Sequence, residues 1–400
     1  MNGKKMLSVP NDSAQARPRE GGIYLDNAAA VPCSEKYLRA FAEYSLRYPG
    51  NQESMAFHGT KASSAIREAE KRILDSLNAG VTDPYSVHFC NSGTEGAVAG
   101  VQALFMSLEK SFPKGGTVLT TPWEHPALLR SLERAAGKNG FSLKYCPVRR
   151  QGIRMEDLAG CLNGEVAAVA VHHVESQTGS VLDLYRLRQY MDQYCPRALL
   201  LADTVQSVGK LELDLQKIRP DLCFLSGQKL AVPSCGAVIC RGTMGKNMAL
   251  QRNRFHGYGR SMPSSILTLA DALEDHIRDR EKVYQHVSEL GRVLEEQIRK
   301  QALPFRRTLS AEQCSPFIAH YMCTPYQGAI LTRSLYQYAV SVAPGSACES
   351  ETPSGSVVLS AMGYSRQECF CGLRISFSGA NTEPEIRAAV QALAQCVKTY

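Results

Sequence analysis

Short apolar runs alternating with helix-length segments constrain this chain more than any other feature. The runs are Ser86-Cys90, Thr117-Thr120, Ser142-Cys146, Ala167-His172, Ala198-Ala202, Asp221-Leu225 and Ala237-Cys240. Strands that are almost continuously apolar must be covered on both faces, so they predict an α/β fold with a mostly parallel seven-stranded sheet between helical layers. In such sheets ligands sit at the carboxyl ends of the strands. Thr94, His125, Ser176, Asp203, Gln206 and Lys229 all follow a predicted strand and are expected to converge.

The rest of the chain sets the frame around that sheet. Four hundred residues exceed one ordinary core, and the division expected is a large domain over 23–255 and a smaller C-terminal α/β domain over 256–400. A polar arm over 1–22 is assigned with the latter. Helical periodicity marks Lys61-Asn78, Gly96-Leu108 and one long stretch near Ser265-Ala302, with strand-like runs at Phe317-Met322 and Leu373-Ser378. Thr382 and Glu385 have capping-box spacing ahead of a final helix.

Composition narrows the class. No uninterrupted apolar run reaches about 18 residues, and the N-terminus lacks a signal-peptide core, so a soluble, intracellular, cytoplasmic protein is expected, with no membrane partner. The 14 cysteines scatter through predicted strands and helices without doubled C-x₂-C spacing, which predicts reduced thiols and no structural metal. A net charge of +7 without a basic block gives no nucleic-acid surface.

The chemistry concentrates at Ser226-Gly227-Gln228-Lys229, which follows Asp203 by 26 residues. A strand-end acid followed about one β-α-β unit later by a strand-end lysine suits pyridoxal 5'-phosphate (PLP). The lysine forms the Schiff base, and the carboxylate keeps the pyridine nitrogen protonated. Asn91-Ser92-Gly93-Thr94 opens a helix whose first N–H groups suit a phosphate, with Ser226 and Gln228 as further donors. His125 can stack on the ring, and Gln206 can bond its phenolic oxygen. Cys348 lies among small residues between Pro344 and Pro353, a setting for a mobile, reactive thiol. Arg374, in an alternating strand, can grip an α-carboxylate at two points.

This ordered set resembles the class V, fold-type I PLP enzymes, and within them the cysteine desulfurases that carry the nucleophile in a long loop. The likeness runs from about Tyr24 to Thr382 and is carried by Tyr24-Leu25-Asp26-Asn27, Phe89-Glu95, Glu124-His125, Asp203-Gln206, Ser226-Lys229, Ser346-Ala347-Cys348 and Arg374-Ser376. The resemblance implies a homodimer acting on L-cysteine, with Lys229, Cys348 and His125 catalytic and Asn27, Ser176 and Arg374 facing substrate. Alanine would leave, and sulfur would pass from Cys348 to an acceptor protein for iron–sulfur cluster or thio-cofactor or tRNA synthesis. The chain departs from the pattern at Gln228 (usually histidine), at Ser176-Gln177 (usually Asn-Glu), at Ala56 and at Arg260-Ser261-Met262-Pro263. These departures keep open a selenocysteine lyase, a cysteine lyase or an aminotransferase, and a PLP-free sulfur-transfer scaffold.

Overall fold

The computed structural model describes residues 21–80, 84–233, 235–254, 261–345 and 355–400. In chain order, β1 (Ile23–Tyr24), α1 (Glu35–Arg47) and α2 (Phe57–Ser76) lead into β2 (Tyr85–Cys90), α3 (Gly93–Ser111), β3 (Thr117–Thr120), α4 (Pro126–Asn139) and β4 (Ser142–Tyr145). Next come α5 (Met155–Gly160), β5 (Val166–His172), α6 (Leu184–Tyr194), β6 (Leu199–Asp203), α7 (Leu215–Ile218), β7 (Leu222–Ser226), β8 (Gly236–Arg241) and α8 (Met244–Arg254). The C-terminal part holds α9 (Pro263–Arg278), α10 (Arg280–Lys300), β9 (Arg306–Arg307), β10 (Ile318–Met322), α11 (Gly328–Leu335), β11 (Val340–Ser341), α12 (Val357–Ala361), β12 (Gly372–Ser376) and α13 (Glu383–Thr399).

All seven predicted runs enter one sheet of order β2-β8-β7-β6-β5-β3-β4. Strands β7, β6, β5, β3 and β4 run parallel, whereas β8 is antiparallel to both β7 and β2. Alternation along β5 divides the core. Val169 and Val171 pack with α2, α6 and α9 on one face, while Ala168 and Ala170 meet α3, α4 and α8 on the other.

Two expected helices begin earlier than their apolar periodicity suggested. Helix α3 starts at Gly93 because the Ser92 side chain accepts a hydrogen bond from the Glu95 N–H and nucleates the first turn. Helix α2 starts at Phe57, where a polar first turn had concealed it. The single stretch expected over Ser265-Ala302 is two helices that meet at Asp279. Its first half buries Ile266, Leu269 and Leu273 against the large sheet, and its second buries Val287, Leu290 and Leu294 in a separate core. One straight helix could not face both, so the break follows from packing. Thus α9, on the C-terminal side of residue 256, packs with the large sheet.

The second core gathers α10, α11 and α13 around the antiparallel sheet β12-β10-β9. Leu25 and Ala28 join it, and β1 pairs in parallel with β11. The chain therefore crosses from the small core at Leu25 past the carboxyl edge of the large sheet. The Thr382–Glu385 capping box forms ahead of α13, as the spacing indicated. Among the described residues no helix is long and apolar enough to cross a membrane.

Candidate active site

Ten of the expected residues line one cavity of about 220 Å3 at the carboxyl edge of the sheet: Gly93, Thr94, His125, Ser176, Asp203, Gln206, Ser226, Gln228, Lys229 and Arg374. The parallel strands deliver most of them, and β12 brings Arg374 from the small core. Asn27 is placed elsewhere. It is 2% exposed, and its amide donates to the Ser376 carbonyl at 2.9 Å and to Asn381 Oδ1 at 3.2 Å, which holds the crossing segment to β12. Cys348 lies outside the described residues, as do Arg260 and the arm up to residue 20.

Lys229 ends a single 3₁₀ turn, Gly227–Lys229, directly after β7. Gly227 is needed there, since a Cβ would stand 2.5 Å from Val232 Cγ2 while its N–H donates to the Cys235 carbonyl at 2.7 Å. The Lys229 Nζ donates to the Ala28 carbonyl at 2.8 Å and to the Ala29 carbonyl. Gln206 Nε2 reaches the same Ala28 carbonyl at 2.8 Å, and its buried Oε1 has no partner among the described residues.

At the floor, burial pushes the Asp203 carboxyl up, opposed by the Val205 N–H at 3.0 Å and by His125. A buried carboxyl in that condition gains most from a cationic partner. His125 caps α4, its Nδ1 accepting from the Ala127 N–H at 3.2 Å, so the ring proton belongs on Nε2. Burial lowers its proton affinity, with Asp203 acting the other way. Beside it, Glu124 Oε1 pairs with His172 Nδ1 at 2.9 Å and accepts from Thr121 Oγ1 at 2.7 Å. Burial works against charge on His172, but the Glu124 carboxylate outweighs it and the net shift is upward.

Opposite the floor, α3 opens into the cavity. Ser92 caps the Glu95 N–H, and among the described residues the Gly93 and Thr94 N–H groups have no acceptor. A Cβ on Gly93 would come within 3.1 Å of Ser226 Cβ, so the two turns touch there. This helix start, with two hydroxyls and the Gln228 amide nearby, is a cradle for an anion. An acid at one end, an anion cradle at the other and an amine between them fit PLP.

Arg374 is 1% exposed; it donates to Asp26 Oδ1 at 2.7 Å and to the Ser176 carbonyl at 2.8 Å, and its buried Nε has no partner among the described residues. Ser176 thus contributes a carbonyl that aims the guanidinium. Gln177 does not line the cavity. Its amide meets His320 Nε2 at 3.2 Å and accepts from Ser356 Oγ at 2.8 Å, while Thr308 Oγ1 meets His320 Nδ1 at 2.7 Å.

Sequence reasoning missed Ala28, Trp123, His172 and Glu175 as lining residues. The adjacent Trp123-Glu124-His125 and His172-His173 were the available signals. Burial pushes Cys223 and Cys235 up to about 12 and Cys195 up to about 11, which keeps them protonated.

The aminotransferase class-V family model matches residues 23–389. A cysteine desulfurase of Trichormus azollae is 26% identical, covering 94% of this chain and 93% of its own length. The cysteine desulfurase IscS of Vibrio vulnificus strain CMCP6 is 28% identical with the same coverage. Among solved structures, a NifS-like protein superposes with a TM-score of 0.82 at 21% identity, covering 95% of this chain and 100% of that one.

Proposed function

The chain belongs to the aminotransferase class-V family, and on that premise we propose that it is a PLP-dependent cysteine desulfurase. The observation that carries the reading is the convergence of Lys229, Asp203, His125, the start of α3 and Arg374 on one cavity. The curated relatives named cysteine desulfurase support the substrate.

When bound, PLP supplies a carbonyl to capture the substrate amine and a ring that accepts electrons. The N–H groups of Gly93 and Thr94, with Ser226 and Gln228, would hold its phosphate. Asp203 would keep a proton on its ring nitrogen, and His125 would help to hold the ring. Arg374 grips the substrate carboxylate and so fixes the Cα–H bond relative to Lys229, whose amine takes that proton and returns it. Ala28 and Ala29 hold the same amine when it is protonated.

The sulfur step belongs to Cys348. Its thiolate forms an S–S bond with the substrate sulfur as the substrate C–S bond breaks, and the electron pair stays on the carbon skeleton. That skeleton takes up a proton and leaves as alanine, so cysteine and a thiol become alanine and a persulfide. The persulfide then passes to an acceptor protein. Protonated core thiols support Cys348 as the nucleophile, because the buried cysteines are poor thiolates. Thirteen cysteines that form no disulfide among the described residues fit a reducing cytoplasm. Exposed Met55 and Phe57, at 98% and 76%, support a surface covered by a second copy.

The test is to add cysteine to the purified protein carrying PLP and to measure alanine and persulfide. A Cys348→Ser variant should keep the visible absorbance and lose the persulfide; undiminished alanine from it would overturn the mechanism. In Lys229→Ala, a borohydride-reducible adduct at residue 229 cannot form. Release of keto acid or sulfide without persulfide would point instead to an aminotransferase or a lyase.

A further inference from the structure

A cavity of about 320 Å3 lies outside the active site, and three guanidiniums line it: Arg306 and Arg307 of β9, and Arg150 between β4 and α5. Leu309 and Tyr364 supply its apolar wall. The Arg150 Cζ stands over the Tyr364 ring, 4.5 Å from its centroid, so this charge is held at the wall.

These charges are poorly neutralised within the chain. Arg150 reaches the Gly363 carbonyl at 3.4 Å and Glu368 Oε2 at 3.6 Å, and that carboxylate oxygen already accepts from the Ser365 N–H at 2.8 Å. Arg307 reaches Glu295 Oε1 at 3.4 Å, an oxygen that already accepts from the Tyr321 hydroxyl at 2.7 Å. Arg306 is exposed and forms no ion pair among the described residues; it acts on the same Glu368 from farther off. Close charge-assisted bonds measure about 2.7–2.9 Å. The chain makes such bonds nearby, where Arg149 and Arg154 grip Asp157 at 2.7 and 2.8 Å. The three arginines of the cavity therefore keep N–H donors for an outside acceptor.

The cavity also shares packing with the active site. Leu309 and Tyr364 belong to an apolar cluster with Trp123, Val358 and Leu359. Trp123 lines the cavity that holds Lys229, and its Nε1 donates to the Val358 carbonyl at 3.2 Å. Helix α12, which carries Val358, begins nine residues after Cys348 in the chain. The basic cavity thus stands beside the element that follows the thiol.

We propose that this cavity docks an acidic segment of the protein that accepts sulfur. Each guanidinium fork matches a carboxylate at two points. Nucleic acid fits less well, because a phosphate backbone needs an unbroken basic track, and Glu295, Glu312 and Glu368 interrupt this one. That the partner accepts sulfur rests on the function proposed above; that it is acidic does not.

The test is fluorescence anisotropy of the full chain with fluorescein-labelled hexaglutamate. Arg306→Glu should weaken binding about tenfold, through one exposed pair lost and one repulsion gained. Lys71→Glu, the same charge change at an exposed position of α2, should leave it within about twofold. Equal weakening by both variants, or none by Arg306→Glu, would overturn the site; Arg306→Gln serves if the reversal does not fold. Tighter binding of a thymidine oligonucleotide of equal charge, or displacement of the peptide by inorganic phosphate at equal concentration, would overturn the acidic partner.

Sulfur transfer gives a second readout. A peptide thiolate bonds to the outer sulfur of the Cys348 persulfide as the old S–S bond breaks, and its electron pair stays with Cys348. Below saturation, transfer to cysteinyl-hexaglutamate should drop about tenfold in Arg306→Glu, while transfer to cysteinyl-hexaglutamine stays the same. Parallel drops, or none, would overturn the acceptor assignment. Absence of alanine from the wild type with dithiothreitol as acceptor would defeat the functional reading and leave the binding result standing.

Discussion

Arg374 and Asp26 meet at 2.7 Å, with the guanidinium side chain 2% exposed and the carboxylate 20%. The pair joins β12 to the segment that carries Leu25 and Ala28, so one ion pair both fixes that segment on the small core and aims a cation into the cavity. A guanidinium fixed at two points presents its remaining N–H groups in a set direction.

Asp26→Asn should therefore impair substrate positioning while sparing PLP uptake. We expect KM for cysteine to rise about tenfold in Asp26→Asn and further in Arg374→Met, with the visible absorbance kept in both. Steady-state alanine release measures it. An unchanged KM in Arg374→Met would remove Arg374 from substrate binding.

Gly236 begins β8 behind the anion cradle, and a Cβ there would lie 2.7 Å from both the carbonyl carbon and oxygen of Ser92. Those are backbone atoms, so the turn itself must move. Gly236→Ala should weaken PLP affinity by at least about tenfold, roughly the loss of one charge-assisted hydrogen bond. Fluorescence titration with PLP checks it, and wild-type affinity in the variant would show that the turn is not the cradle.

Gln177 is fully buried and bridges His320 and Ser356. Gln177→Leu removes the partner of His320 Nε2 and the acceptor of the Ser356 hydroxyl proton, while Ser356 Oγ still accepts from the Leu359 N–H, a loss of about 1–3 kcal/mol for each bond removed. Unfolding in urea should show a loss of about 3 kcal/mol, whereas a loss below 1 kcal/mol would mean that water replaces the amide.

Acid should destabilise the protein between pH 6.5 and about 4. Burial holds His173 and His276 at about 4 and His320 at about 3, below their unfolded value, so over this window the unfolded chain binds more protons than the folded one. Stability is present above pH 6.5 and falls as pH drops through the window. Each histidine contributes on the order of 3 kcal/mol. Asp203 and His172, whose proton affinities are raised, act in the opposite sense and soften the slope. Thermal midpoints at pH 7.5, 6 and 5 should descend, and a flat profile would contradict the burial of these rings.

The anchoring residues were legible because their signals are local. Asp203 ends a strand, Lys229 ends the turn directly after one and Gly93 opens a helix, and a parallel sheet places all such positions on one edge. Gln177 and Asn27 were harder to place. Both sit beside site residues in the chain, yet each turns its amide to a partner more than 140 positions away. Nothing in the neighbouring residues encodes that choice.

What the sequence determined by itself was the seven-stranded sheet, its carboxyl edge and the side chains delivered there, since hydrophobic period and strand ends are properties of nearest neighbours. What the tertiary structure decided was the break between α9 and α10, the crossing of Leu25 into the small core, and the meeting of Arg150 with Arg306 and Arg307 at one cavity. Those follow from which surfaces two separate cores leave to be filled. Volume and charge at a junction are settled only when distant segments meet.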